Sequence, residues 1–423
     1  MYGMNKKLLI LFFIYIVLEG ALRKWFLPEY NTLLFLFKDI LLIIITLSFL
    51  LTKRESKEAW SYLSKTDKSI WVIFIYSIVF YGLLVRLDSL TIVGWRYYLV
   101  SVPLVVLIPL YFNMDIEKYA YYYLLLSLPV LLLGMYQYFS PSDSIINKYA
   151  WFSAADSVAT FGDKRARITG TFSFISPFVI YLETILLLGW VILLRSKSKK
   201  RVLLIATIIF LILVNIIMTG SRAPVLISTI LSIPFIYYYM KLSRQKLGLI
   251  VLTIGFLFLS FNYFLDPFNS FAQRSEKAGD TEVRILGALF SPITTISSID
   301  IIGSGLGKTF LGTIEIANKN PDTVFDEVHQ DRVGLELGIL GYLFISFIKI
   351  YFLFQTYLFI KKVNIIELKL WLWFSLTIQL SSMWEIPIFN SIAATFYFTA
   401  IGIYYLMRRK HFDISKQKVL VKN

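Results

Sequence analysis

The chain has no cysteine, which excludes disulfides and thiolate-ligated metals. Its two histidines, His329 and His411, are too few for a histidine-built metal centre. Charge is scarce: 16% of the 423 residues are Asp, Glu, Lys or Arg, against roughly 25% in soluble domains. Internal repeats, low-complexity tracts and any segment with the composition of a soluble domain are also missing. Apolar side chains dominate instead, at 57% of the sequence.

These side chains cluster into runs of about 20 residues, the length that crosses a hydrocarbon core. Candidate spans lie at about 8–27, 33–52, 69–86, 91–112, 118–139, 171–194, 202–219, 223–240, 247–265, 335–360, 366–384 and 388–407. The composition therefore predicts an all-α polytopic membrane protein of about twelve helices, with 1–423 as one integral membrane domain. The first run follows Lys6 and Lys7 like a signal peptide. It contains Glu19 and lacks a small-residue cleavage site, so it reads as a retained first helix.

The net charge of +15 would raise nucleic acid as a partner of a soluble protein. In a membrane protein it reports topology, because cytoplasmic loops collect Lys and Arg; no nucleic-acid partner is expected. With the N-terminus inside, the inner segments are 1–7, 53–68, 113–117, 195–201, 241–246, 361–365 and 408–423. "RSKSKKR" at 195–201 holds five basic residues in seven, and "KLSRQK" at 241–246 holds three in six. An even number of spans puts both termini inside. Two outer loops are long, at about 140–170 and 266–334, the second lying between the ninth and tenth spans. Long connections are usually functional or disordered. The stretch "VRILGALFSPITTI" in the second predicts a short amphipathic helix at the membrane surface.

Topology does not explain the basic residues of the outer side: Arg23, Lys24, Arg86, Lys164, Arg165, Arg167, Arg222, Arg274, Arg284 and Arg332, with Arg96 inside a span near its outer end. Ionisable groups at membrane depth face a cavity or a partner, and Arg offers phosphate a bidentate fork. An outer basic cluster above a lipid bundle therefore points to an anionic substrate. Two readings of Arg23 and Lys24 stand, snorkelling beside Trp25 or contact with that substrate. Arg86 and Lys164 read as solvated. Arg222 sits in "MTGSRAP", a link so short that its side chain is held at the membrane surface. Arg284 is either a functional cation or a solvated residue of the amphipathic helix.

"DEVHQDRVGLELGILG" places His329, Arg332 and Glu336 at spacings of three and four, one face of a helix. A neutral imidazole can take a proton from a hydroxyl, Arg332 could hold a phosphate, and Glu336 could orient either. The competing reading is a helix start whose Asp326, Glu327 and Asp331 complement the dipole. "GSGLGKT" at 303–309 misses the phosphate-loop spacing by one residue and reads as a Gly-rich turn. No Asp-x-Asp pair lies on the outer side, so no cofactor or metal is expected, with a site at Asp322, Asp326, Glu327 and Asp331 as the alternative.

Taken in order, these pieces resemble the O-antigen ligase and O-antigen polymerase superfamily of bacterial membrane glycosyltransferases. "RITGTFSFISPFVIYL" at 167–182 is similar to the family's Arg-x-x-Gly-x-Phe start of a span, and "TGSRAPVL" at 219–226 to its Thr-Gly-Ser-Arg-Gly motif. "VRILGALFSPITTISSIDIIGSGLGKTF" followed by "HQDRVGLELGILG" resembles its large outer loop. "EGALRKWFLPEY" and the Lys38-Asp39 pair look like one branch of the group. The chain departs from the family pattern at Ala223, Pro224 and Gln330, and its His-to-Glu spacing is about two residues shorter.

The resemblance implies a glycosyltransferase C-type fold in a bacterial inner membrane, with the site facing the periplasm. It implies a glycan donor on undecaprenyl diphosphate and a glycan or lipid acceptor. Arg222 and Arg284 would clamp the diphosphate, His329 would activate the acceptor hydroxyl, and Arg167 would be a further contact. Polymerase is favoured over ligase on the N-terminal pattern. The rival from another class is a small-solute transporter, which would use Glu19, Arg96 and Glu183.

Overall fold

The computed structural model describes residues 2–85, 87–113, 115–150, 159–160, 165–242, 267, 270–271, 299–309, 329–384 and 390–420. Among them the regular structure is helical, and β structure is limited to isolated bridges at Pro141–Arg165 and Thr160–Ala166. The helices are α1 (Tyr2–Ala21), α2 (Asn31–Leu51), α3 (Lys53–Ser61), α4 (Lys65–Val85), α5 (Ser89–Leu99), α6 (Leu104–Tyr111), α7 (Ile116–Phe139), α8 (Ile175–Arg195), α9 (Lys199–Met218), α10 (Arg222–Leu242), α11 (His329–Lys362), α12 (Ile366–Trp384) and α13 (Ser391–Leu420).

Eight segments among the described residues are long and apolar enough to cross a membrane: Pro28–Leu51, Lys65–Val85, Ser89–Tyr111, Ile116–Phe139, Ile175–Arg195, Lys199–Met218, Arg222–Lys241 and Arg332–Lys362. The chain is thus an all-helical, multi-pass membrane protein. Each of the eight coincides with a predicted span. Three further predicted spans are helical as α1, α12 and α13 but are more polar, with Lys6, Lys7 and Glu19 in α1 and Ser375, Gln379, Ser381 and Ser382 in α12. The predicted span at 247–265 lies outside the described residues. Two boundaries differ from expectation. The first helix ends at Ala21 and passes into a π turn at Leu22–Phe26. The run at 91–112 is two helices, α5 and α6, joined across Pro103, which has no N–H to continue a helical ladder.

The helix starts follow local chemistry. Ser64 and Asp67 form a reciprocal capping box at α4, with Asp67 N–H to Ser64 Oγ at 3.1 Å and Ser64 N–H to Asp67 Oδ2 at 3.2 Å. Asp88 Oδ1 accepts the Leu90 and Thr91 N–H groups at 3.0 and 3.1 Å and so caps α5. Asn390 does the same for α13 through Ile392 and Ala393.

The chain divides into two compact units. The first comprises Met1–Phe12, Asp39–Asn113 and Glu282–Asn423; the second comprises Phe13–Lys38 and Met114–Thr281. In the first unit polar side chains join α11, α12 and α13, as expected where apolar contact gives no preference over lipid. Gln379 donates to Thr356 Oγ1 at 3.0 Å and to Ser375 Oγ at 2.9 Å, and Ser375 Oγ donates to the Ala400 carbonyl at 2.6 Å. Lys349, buried within a span, donates to the Ser382 carbonyl at 3.0 Å. In the second unit Trp190 of α8 donates to Ser232 of α10 at 3.1 Å, and Arg195 pairs with Glu117. Gly20 of α1 lies against residues 171–173: a Cβ there would meet Thr171 O and Ser173 N at 2.4 Å, so the close approach needs glycine.

Candidate functional site

In the second unit the site is built on the segment 165–173, which leads into α8. Its backbone turns at Gly170, whose φ of +54° and contacts with the Phe178 ring and Val130 exclude a side chain. Gln137, fully buried at the end of α7, holds this turn. Its Oε1 accepts the N–H groups of Thr169 at 3.1 Å and Gly170 at 2.7 Å, while its Nε2 donates to the Gly170 carbonyl at 3.1 Å and the Ile146 carbonyl at 2.9 Å. A side-chain amide is suited to this task because it offers donor and acceptor together.

Arg167 projects from the same segment onto the link between α9 and α10. Its Nε donates to the Thr219 carbonyl and its Nη2 to Ser221 Oγ, each at 2.8 Å. The link is a tight turn at Gly220, with φ of +66°, and Thr219 Oγ1 accepts the Ser221 N–H at 3.3 Å. Arg222 follows as the first residue of α10 and is half-buried. The fork of Arg167 therefore braces the turn from which Arg222 emerges, although the two motifs are more than fifty residues apart. Tyr149 donates its hydroxyl to the Arg167 carbonyl at 2.9 Å. Burial pushes that hydroxyl up to about 12, against the opposing pull of the Arg167 guanidinium, so at neutral pH it stays a donor.

Arg23 and Lys24 are buried and tied into the same unit. Arg23 donates from three nitrogens, to Glu19 Oε1 at 2.8 Å, Asn31 Oδ1 at 2.6 Å and the Ala150 carbonyl at 3.2 Å. Glu19 also accepts from Lys38 at 2.6 Å. Lys24 donates to Thr169 Oγ1 at 3.0 Å and to the Gly170 carbonyl at 2.7 Å, and lies 4.4 Å above the Trp25 ring. Neither side chain snorkels to the surface. Lys24 holds the turn that presents Arg167, and Arg23 fastens the neighbouring Ala150, whose N–H donates to the Ser173 carbonyl at 3.0 Å. Sequence reading missed Gln137, Tyr149 and the Glu19–Lys38 pair. A lone amide at the end of an apolar run and opposite charges in neighbouring spans were the available signals.

The remaining predicted residues are in the first unit, apart from Arg284, which lies outside the described residues. Arg96 Nε donates to Asp39 Oδ2 at 2.6 Å, with both side chains about nine-tenths buried. His329 opens α11; its side chain lies outside what the structure describes. Arg332 is half-buried one turn before Glu336. Glu336 is fully buried and held by three donors: Thr309 N–H at 3.0 Å and Thr309 Oγ1 at 2.7 Å on Oε1, and Tyr98 OH at 3.3 Å on Oε2.

The Gly-rich turn at 303–307 nests on the same point. Ser304 and Gly305 donate their N–H groups to the Leu335 and Glu336 carbonyls at 2.8 and 3.1 Å, and Tyr81 OH donates to the Glu336 carbonyl at 2.6 Å. α11 breaks just beyond, at Gly338 with φ of +71°. The turn thus caps the carbonyls that the break exposes, a structural use of glycines that close backbone approach demands. Glu336 anchors this junction, and its carboxylate oxygens are engaged by protein donors.

The arrangement offers Arg222 at the start of α10, on a turn that the Arg167 fork braces. Such a group can hold a doubly charged anion and keep its position while charge shifts within it. Comparisons with protein-family models, with curated proteins and with solved structures return no match for this chain.

Proposed function

We propose that the chain is a metal-independent membrane glycosyltransferase that takes glycan from an undecaprenyl diphosphate donor at the outer leaflet of a bacterial inner membrane. On this reading it crosses the membrane about twelve times in a glycosyltransferase C-type fold, with both termini cytoplasmic. The observation that carries the proposal is the Arg167 fork on the Thr219–Ser221 turn, because it joins two arginine motifs that a diphosphate site would need together.

A polyprenyl diphosphate is already a good leaving group, so the site has to hold its charge and aim an acceptor hydroxyl at the anomeric carbon. The hydroxyl oxygen bonds to that carbon as the bond from carbon to the diphosphate oxygen breaks, and the proton passes to His329 as base. Arg222, with Arg284 as the second clamp and Arg167 and Arg332 as supporting cations, stabilises the departing diphosphate. Charge-assisted contacts of this kind contribute on the order of 1.5–3 kcal/mol each, and a placed base about 10²–10⁴-fold. Lys24, Arg23, Arg96 and Glu336 act as positioning residues.

The proposed activity leans to polymerisation of lipid-linked repeats, with ligation to lipid A-core or protein as the alternative. Of the three residues a transporter would use, Glu19 and Arg96 are each paired inside their own unit, which disfavours that reading, while Glu183 is buried in α8. Purified protein in liposomes carrying a polyprenyl-diphosphate glycan should transfer it, and Arg222→Ala and His329→Ala should abolish transfer while remaining folded. Full transfer by folded Arg222→Ala would sink the diphosphate clamp. Adding a distinct acceptor separates ligase from polymerase.

A further inference from the structure

The positive-inside rule accounts for cations between α2 and α4, but it does not say where the acids among them point. The segment 53–68 carries Lys53, Arg54, Lys57, Lys65 and Lys68 against Glu55, Glu58 and Asp67, a net of +2 by sequence. In the structure two of the three acids turn into the protein. Glu55 is 6% exposed and accepts from Asn5 Nδ2 at 3.3 Å and from Tyr111 OH; Ser48 Oγ donates to Asn5 Oδ1 at 2.8 Å. Asp67 is 2% exposed, accepts from Tyr351 OH and Arg408, each at 2.9 Å, and belongs to the capping box of α4.

The outward charge is therefore five cations against Glu58, a net of +4. Among the described residues none of the five has an ion-pair partner. Helical geometry sharpens this. Glu55 and Ala59 form the buried side of α3, and at 100° per residue Lys53, Arg54 and Lys57 fall on the opposite side, all exposed, with half-exposed Trp60 at its edge. A short helix pinned by a buried acid, with Lys, Arg and Trp facing away from the protein and a membrane span on either side, lies where phospholipid headgroups lie.

We infer that the outward face of α3 binds the headgroups of anionic phospholipid through Lys53, Arg54 and Lys57. This stands independently of the glycosyltransferase reading. It is tested on the full-length protein by native mass spectrometry, titrating phosphatidylglycerol and phosphatidylcholine and counting retained lipid. The wild type should retain phosphatidylglycerol preferentially, and that preference should weaken with salt. Lys53→Gln/Arg54→Gln/Lys57→Gln should reduce it roughly tenfold or more, whereas Lys361→Gln/Lys362→Gln should leave it in place. Glu58→Gln, which removes the one outward acid, should strengthen it, a result that does not depend on the triple variant folding.

Equal retention by the folded triple variant would overturn the inference, as would an equal loss in the Lys361/Lys362 control or no gain in Glu58→Gln. Displacement of the lipid by millimolar inorganic phosphate would also overturn it, since the face would then be a free-phosphate site.

Discussion

Replacing Arg167 with lysine keeps the charge but removes the fork. The guanidinium reaches the Thr219 carbonyl and Ser221 Oγ from separate nitrogens, both at 2.8 Å, and an ammonium on a single stem cannot hold both acceptors in one plane. Arg167→Lys should therefore lose about one charge-assisted hydrogen bond, roughly 1.5–3 kcal/mol. Arg167 is half-buried, so solvent replaces part of the loss in the resting protein, and the cost to stability should fall near the lower end. If the brace acts by fixing the turn that carries Arg222, the same energy appears in the transfer step, where about 1.4 kcal/mol is tenfold in rate. The expected result is a 10- to 100-fold fall in glycan transfer by reconstituted protein. Apparent Tm should drop by only a few degrees, and the amount of protein in the membrane should be unchanged. Arg167→Ala should go further on both measures. Wild-type turnover by a folded Arg167→Lys protein would refute the reasoning that the fork positions Arg222.

Glu336→Ala would strand three donors in a fully buried position, costing about 3 kcal/mol or more. Glu336→Gln should be milder because its amide oxygen can keep both Thr309 bonds. Thermal unfolding followed by tryptophan fluorescence should rank wild type above Gln above Ala, and an Ala variant as stable as wild type would remove Glu336 as the anchor of the 303–309 turn. Gly170→Ala places a Cβ 2.9 Å from the Phe178 ring at φ +54°, so a loss of about 1–3 kcal/mol is expected. An unchanged apparent Tm would mean that the 165–173 segment is not held by this packing.

Much of the fold was legible because hydropathy is a local property. A run of about twenty apolar residues reads as a span wherever it sits in the chain, and eight of the predicted spans reappear as helical segments of membrane length. The misses are local events that hydropathy does not register. Pro103 divides one apolar run into two helices, and the first helix stops at Ala21 because the chain turns there to bury Arg23 and Lys24. Lys349 passed unnoticed inside an apolar run, since a single charge barely alters a windowed average. For the candidate site, residue types and order marked Arg167 and Arg222 as unusual, but their relation was invisible: no rule of local sequence brings residue 167 to residues 219 and 221.

By itself, then, the sequence determined the solvent this protein lives in, the places of eight of its spans, and which basic residues topology leaves unexplained. Each follows from the free energy of placing a given side chain in lipid or at its edge, which depends on the residue and its near neighbours. Only the tertiary structure decided what the polar side chains do there. It turned Arg23 and Lys24 from candidate surface contacts into buried ties. It engaged Glu336 with Thr309 and Tyr98. It drew Glu55 and Asp67 inward, leaving the outward side of the 53–68 segment more basic than its composition. A buried polar group must find a partner, and that partner is supplied by whichever distant segment the packing brings within about 3 Å.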